Sequence, residues 1–199
     1  MSQSNEHSIP DLKRLSNAAN YHGLRMLVYF SVFAAMDAWY EVSALLLANA
    51  LSVIAALIVG AYLSGIFHEW GHFVGARISK SRSPIVRKPK GTFMFGFDMK
   101  KNTSDQFLWM SLGGPLGNLL LVVLVYVLLP IDSFGRAALL AMIIGKLVAV
   151  IVFEGPIIFR TFKGGDPQIE LDKQLDNGAL DKGQKAGYLA TALLWVLVI

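Results

Sequence analysis

Five consecutive residues carry the strongest chemical signal in this 199-residue chain: His68-Glu69-Trp70-Gly71-His72, an H-E-x-x-H pattern. Histidines at i and i+4 of a helix lie one above the other on the same face, close enough to share one metal ion. Imidazole suits zinc, and a zinc ion that does chemistry takes three protein ligands and leaves a fourth position for water. Glu69 follows the first histidine directly, so it points near such an ion without having to bind it. There it can act as the base that accepts a proton from the attacking water. The spacing thus supplies two ligands and a base, and a third ligand has to come from elsewhere.

The composition limits what that ligand can be. The sequence has no cysteine, so thiolate sites and disulfides are excluded and any zinc is held by histidine and carboxylate. Neutral imidazoles leave the charge of the ion uncompensated, which calls for a carboxylate. Two candidates stand out. Asp166 follows Gly164-Gly165 and precedes Pro167, a backbone able to turn back toward the remainder of the chain, whereas Glu154 lies within an apolar run just ahead of Gly155-Pro156. Proline after Glu154 reads as a helix break, and the expected third ligand is therefore Asp166, oriented by Thr161 or by the glycine amides, with Glu154 as the runner-up.

The elements that must position these groups are mostly membrane-like. Hydrophobic residues make up 54% of the chain and charged residues 16%, with a mean hydropathy of +0.51. These values describe an integral membrane protein, in which ionisable side chains inside apolar runs are costly and are functional candidates by default. Residues 1–23 read as a polar, poorly ordered arm ending in a surface helix, without the pattern of a cleavable signal peptide. The remainder, 24–199, reads as one membrane-embedded domain with spans at about 24–40, 42–78, 107–129 and 137–159. The first two are expected to form an antiparallel pair, with Asp37 and Glu41 at the far interface. The apolar residues 186–199 are too few for an independent perpendicular crossing and are expected to pack as a partial one. Lys146, inside the fourth span, either snorkels or pairs with a carboxylate.

Between the second and third spans, residues 77–101 carry eight Lys/Arg against one Asp. Beside a membrane span such a run marks a cytoplasmic loop touching anionic headgroups rather than a nucleic-acid surface, and no nucleic-acid partner is expected. Its residues 79–101 are expected to leave the membrane. Ser83-Pro84 and Lys88-Pro89-Lys90-Gly91 are turn signals, and Phe93, Phe95 and Phe97 alternate at period two, which predicts a small hairpin or single strand lying against the membrane. The third span opens with Gly113-Gly114-Pro115-Leu116-Gly117-Asn118. Glycines there let helices approach closely, while the added proline and asparagine predict a locally opened helix lining a cavity. With the basic loop in the cytoplasm, the N-terminus, the H-E-x-x-H motif, Gly113–Asn118 and Asp166 all fall on the cytoplasmic side.

Taken together, H-E-W-G-H in one apolar helix, G-G-P-L-G-N in the next and a basic strand-forming loop between them resemble the site-2 protease family of intramembrane zinc metalloproteases. The resemblance covers about residues 42–167. It implies an all-α polytopic membrane protein with a small membrane-associated β-element, one zinc ion per chain held by His68 and His72, and Glu69 as catalytic base. It further implies Asn118 as a polar group beside the scissile peptide or its oxyanion, and a membrane-protein substrate cut in or near its transmembrane segment. The family's third ligand is an aspartate in an Asn-x-x-Pro then Leu-Asp-Gly context, from which this chain departs. The length leaves no room for an inserted PDZ or nucleotide-sensing domain. The expectation is a multi-pass metalloprotease of the cell membrane. Two alternatives stand beside it: a non-proteolytic adaptor or regulator that keeps the fold, and a metal transporter.

Overall fold

The computed structural model describes residues 11–198. Two long helices come first, α1 (Asp11–Ser43) and α2 (Leu46–Ile78). A two-stranded antiparallel hairpin follows, β1 (Ile85–Lys90) and β2 (Phe93–Phe95). A short 3-10 turn, Met99–Lys101, leads to α3 (Ser104–Leu128), α4 (Phe134–Phe162), α5 (Pro167–Asp176) and α6 (Ala179–Val198). Three of these helices, α2, α3 and α4, are long and apolar enough to cross a membrane. The side chains they turn outward, among them Ile54, Ile58, Leu116, Leu120, Val123 and Ile151, are exposed and apolar, as lipid contact requires.

α1 differs from the expectation. There is no boundary at residue 23: the helix already runs from Asp11, and part of the expected arm is its first half, while residues 1–10 lie outside the described residues. Ala18 and His22 on that half are buried, and Leu15 packs beside them, against a cluster of Phe73, Ile85 and Met94. Tertiary contact, not hydropathy, keeps the segment helical. Its later half returns along α2 through a one-residue reversal at Ala44, whose φ is +52°. It meets the length of a crossing but, with Arg25, Asp37 and Glu41, not the composition, so a fourth span is not among those the helices define.

α2 and α3 meet backbone to backbone. A Cβ on Gly71 would collide with the carbonyl oxygen of Gly113, and one on Gly113 with that of Gly71. One turn away on either side, Gly75 lies against Trp109 and Gly117 against Phe67 in the same manner. The glycines of the 113–118 motif therefore serve close approach. The helix is not opened there: α3 is continuous and Pro115 sits inside it, depriving the Ser111 carbonyl of its usual partner. The start of α3 is held by a capping box of Thr103 and Gln106, and the Gln106 amide also donates to the carbonyls of Ser79 and Lys80 at 3.2 Å each, tying it to the end of α2.

At the opposite end, Asp37 is buried and accepts from Ser52 Oγ (3.1 Å), Ser133 Oγ (2.6 Å) and Arg136 Nε (2.7 Å). Arg136 also pairs with Asp132 and Glu41. This network joins α1, α2 and the first turn of α4. α6 packs along α4 through small residues, Gly187 and Thr191 against Gly145 and Gly183 against Ala149. Trp195 Nε1 reaches the Phe134 carbonyl at 3.2 Å. The C-terminal helix thus starts earlier than residue 186 and follows α4 back to its first turn. The Lys146 ammonium lies 5.7 Å from the centre of the Tyr188 ring, a cation–π contact with α6, and pairs with no carboxylate among the described residues.

The small hairpin expected within residues 79–101 is present. Its turn, with Gly91 at φ +63°, comes down beside α2 until Thr92 touches Gly65, three residues before His68. Met94, not the phenylalanines, supplies its buried face. Phe93 is exposed, Phe95 stacks edge-on against Phe73, and Phe97 against Phe107.

Candidate metal centre

The last thirds of α2 and α4 bring three ligating atoms together, with α3 alongside. His68 Nε2 and His72 Nε2 are 2.9 Å apart. Glu154 Oε1 lies 3.0 Å from the first and 3.5 Å from the second. The three groups form the one set of three or more His, Asp or Glu found among the described residues able to hold a metal ion, with the ligating atoms within 4.8 Å of one another. The two histidines come from successive turns of α2. Glu154 comes from α4, which remains helical through Pro156 to Phe162. The proline removes one amide that would have bonded the Val152 carbonyl, yet the helix continues, and the next carbonyl, that of Phe153, accepts from Gln174 Nε2 of α5 at 3.3 Å.

The surroundings prepare the imidazoles for an ion. His72 Nδ1 is 2.7 Å from the Met110 carbonyl oxygen, which can only accept. Nδ1 therefore carries the proton and Nε2 presents its lone pair to the centre, the arrangement that orients histidine ligands. Gly114 lies beneath both rings, where a Cβ would strike Cε1 of His72 and of His68. Its glycine is needed for room, a second role within the same motif. Two imidazoles and one carboxylate are a donor set suited to zinc. Glu154 Oε2 and His68 Nδ1 are buried and have no partner among the described residues, so the site holds polar capacity that these residues do not use.

Asp166, the expected third ligand, is not part of this group. It is the N-cap of α5: its Oδ1 accepts from the Ile169 amide at 3.0 Å, and Pro167 occupies the first helical position. Asp followed by Pro is a helix-start signature that was legible in the sequence. The residue borders a separate cavity of about 350 Å³ lined by Phe97, Lys100, Asn102 and Phe107. Thr161 is buried with its hydroxyl unpartnered and does not orient Asp166. The signal for Glu154 was its charge in the interior of an apolar span, which outweighs a nearby proline.

Glu69 is buried beside the group but outside it, near enough to interact electrostatically with both histidines and Glu154. Its Oε1 accepts from the Met94 amide of β2 at 3.3 Å. Asn118 is one turn beyond Gly114 on α3 and is 1% exposed, and neither its amide nitrogen nor its oxygen has a partner. A buried carboxamide with nothing to bond is costly unless something else fills the role.

No family model, no curated protein and no solved structure matches this chain.

Proposed function

We propose that this protein is a membrane-embedded zinc metalloprotease that hydrolyses a peptide bond in or near the transmembrane segment of another membrane protein. The observation that carries the reading is the convergence of His68, His72 and Glu154 from two apolar helices, with the buried Glu69 beside them. His68, His72 and Glu154 hold the ion. When bound, zinc polarises a carbonyl and lowers the pKa of water so that hydroxide forms near neutral pH. Glu69 accepts the proton of the attacking water and passes it to the leaving amine. Asn118 directs its unused amide to the oxygen of the scissile carbonyl, the role its unpartnered donor supports. The substrate is locally unwound, since helical hydrogen bonds shield its carbonyls, and α1 serves as a fourth crossing, with the motif-bearing ends of α2, α3 and α4 facing the cytoplasm.

The test compares wild type, Glu69→Gln and the double variant His68→Ala/His72→Ala. Wild type should carry about one zinc per chain, Glu69→Gln should keep it, and the double variant should lose it. Cleavage of membrane-protein substrates, read by comparative proteomics of membranes expressing each form, should stop in Glu69→Gln. Full zinc occupancy in the double variant, or undiminished cleavage by Glu69→Gln, overturns the reading.

A further inference from the structure

His22 is the one histidine of the described residues outside the metal group, and it is 1% exposed. Both its ring nitrogens are engaged. Trp70 Nε1, which can only donate, reaches His22 Nδ1 at 3.0 Å, and His22 Nε2 lies 3.3 Å from the Gly91 carbonyl oxygen, which can only accept. The ring is therefore the neutral Nε2–H tautomer, with no lone pair left for an ion. It is not a fourth ligand.

Its partners close a circuit. Trp70 follows Glu69 directly on α2. Gly91 is the hairpin turn, and three residues further along the hairpin the Met94 amide donates to Glu69 Oε1. From Glu69 the chain of contacts runs to Trp70, across α1 at His22, into the turn at Gly91, along β2 to Met94 and back to the carboxylate. Thr92, inside the circuit, rests on Gly65. Met94 and Ile85 fill the space between hairpin, α1 and α2, and Arg14 Nη1 donates to the Ile85 carbonyl at 3.1 Å.

We propose that His22 is a positioning residue for Glu69, acting through the β-hairpin: it fixes the turn so that the Met94 amide aims one carboxylate oxygen and leaves the other for proton transfer. The inference rests on Glu69 being the base of the proposed reaction. The hairpin is two short strands with an irregular register between Ile85 and Lys90, too little ladder to hold Met94 in place alone. The bracing has to come from α1, where Arg14 holds the start of β1 and His22 is the polar link to the turn.

The experiment uses the full-length protein in detergent. His22→Phe keeps the ring and removes both hydrogen bonds, while His22→Gln offers an amide donor for Gly91 and a carbonyl acceptor for Trp70. In His22→Phe, hydrogen exchange over residues 91–95 should rise about tenfold while that of α3 and α4 stays at the wild-type rate; zinc content and KM should hold, and kcat should fall by about tenfold to a hundredfold. His22→Gln should recover most of both losses. In a Glu69→Gln background, His22→Phe should cost nothing further. Wild-type exchange at 91–95 in His22→Phe overturns the proposal, as does faster exchange throughout the chain with loss of zinc, which marks a merely structural histidine. Should Glu69→Gln cleave as wild type does, the proposed function falls and with it the role given to His22; unchanged exchange in His22→Phe with Glu69 still essential refutes the positioning alone.

Discussion

Glu154 and Asp166 show how local context assigns a carboxylate its task. Glu154 has no amide to cap, being held within a helix that continues past it, and its oxygen faces two imidazoles. Asp166 spends its oxygen on the Ile169 amide. Glu154→Gln should therefore strip the ion under mild chelation, as measured by metal content at equal expression. Asp166→Asn should retain it, since asparagine caps about as well as aspartate, and Asp166→Ala should cost about 1 kcal/mol in unfolding without metal loss. Gly114→Ala tests the rings themselves: the added methyl occupies the place of both Cε1 atoms, so metal affinity should drop although no ligand has changed. His22 answers to pH. Burial is the main cause holding its pKa below the ordinary value of 6.5, with the nearby Arg25 adding to the effect and the Gly91 bond opposing it. A folded value below the unfolded one means that the neutral imidazole stabilises the fold fully above 6.5 and that this contribution is lost as pH falls from there through the folded value. Protection factors over residues 91–95, taken against the intrinsic exchange rate at each pH, should fall on acidification through that window in wild type and should be flat in His22→Phe.

The glycine contact between α2 and α3 sets how near Met110, Gly114 and Asn118 come to the histidines. Gly71→Ala or Gly113→Ala forces the helices apart against a carbonyl, at a cost of about 1–3 kcal/mol. Thermal unfolding in detergent should register the loss, and the His72–Met110 bond should loosen enough to lower metal affinity as well. The hairpin makes the complementary point. Alternation of Phe93, Phe95 and Phe97 marked a strand but not its buried face, because Met94 on the other face meets Ala18 and Phe73, which belong to two different helices.

Across the whole molecule, the metal group and the Arg136 network occupy opposite ends of the same helices. Asp37 is 3% exposed and depends on Arg136 for its charge balance. Arg136→Ala leaves that carboxylate buried and unpaired, which should destabilise the bundle by about 3–5 kcal/mol. The unfolding midpoint should fall sharply, and Arg136→Ala combined with Asp37→Asn should recover part of it. A variant as stable as wild type would mean that α1 is not fastened to α4 at that end.

Some of this was determined by the sequence alone, wherever the signal is local. Two histidines four residues apart share a helix face whatever surrounds them, and an uncharged run of more than twenty residues forms a helix of crossing length. The turn residues at Lys88–Gly91 likewise produce a hairpin. What only the tertiary structure decided depends on partners distant in the chain. Pro156 reads as a break until α4 is seen to run on to Phe162 with Glu154 facing the histidines. Residues 1–23 read as a polar arm ending in a surface helix, and what Ala18 and His22 of that helix pack against is not visible until the hairpin is in place. The glycines of α3, with Pro115 and Asn118 beside them, read as an opened helix until α2 is seen to lie against them. Each of these outcomes turns on whether a polar group or an empty face finds its complement, and that complement is supplied by folding rather than by neighbours in the chain.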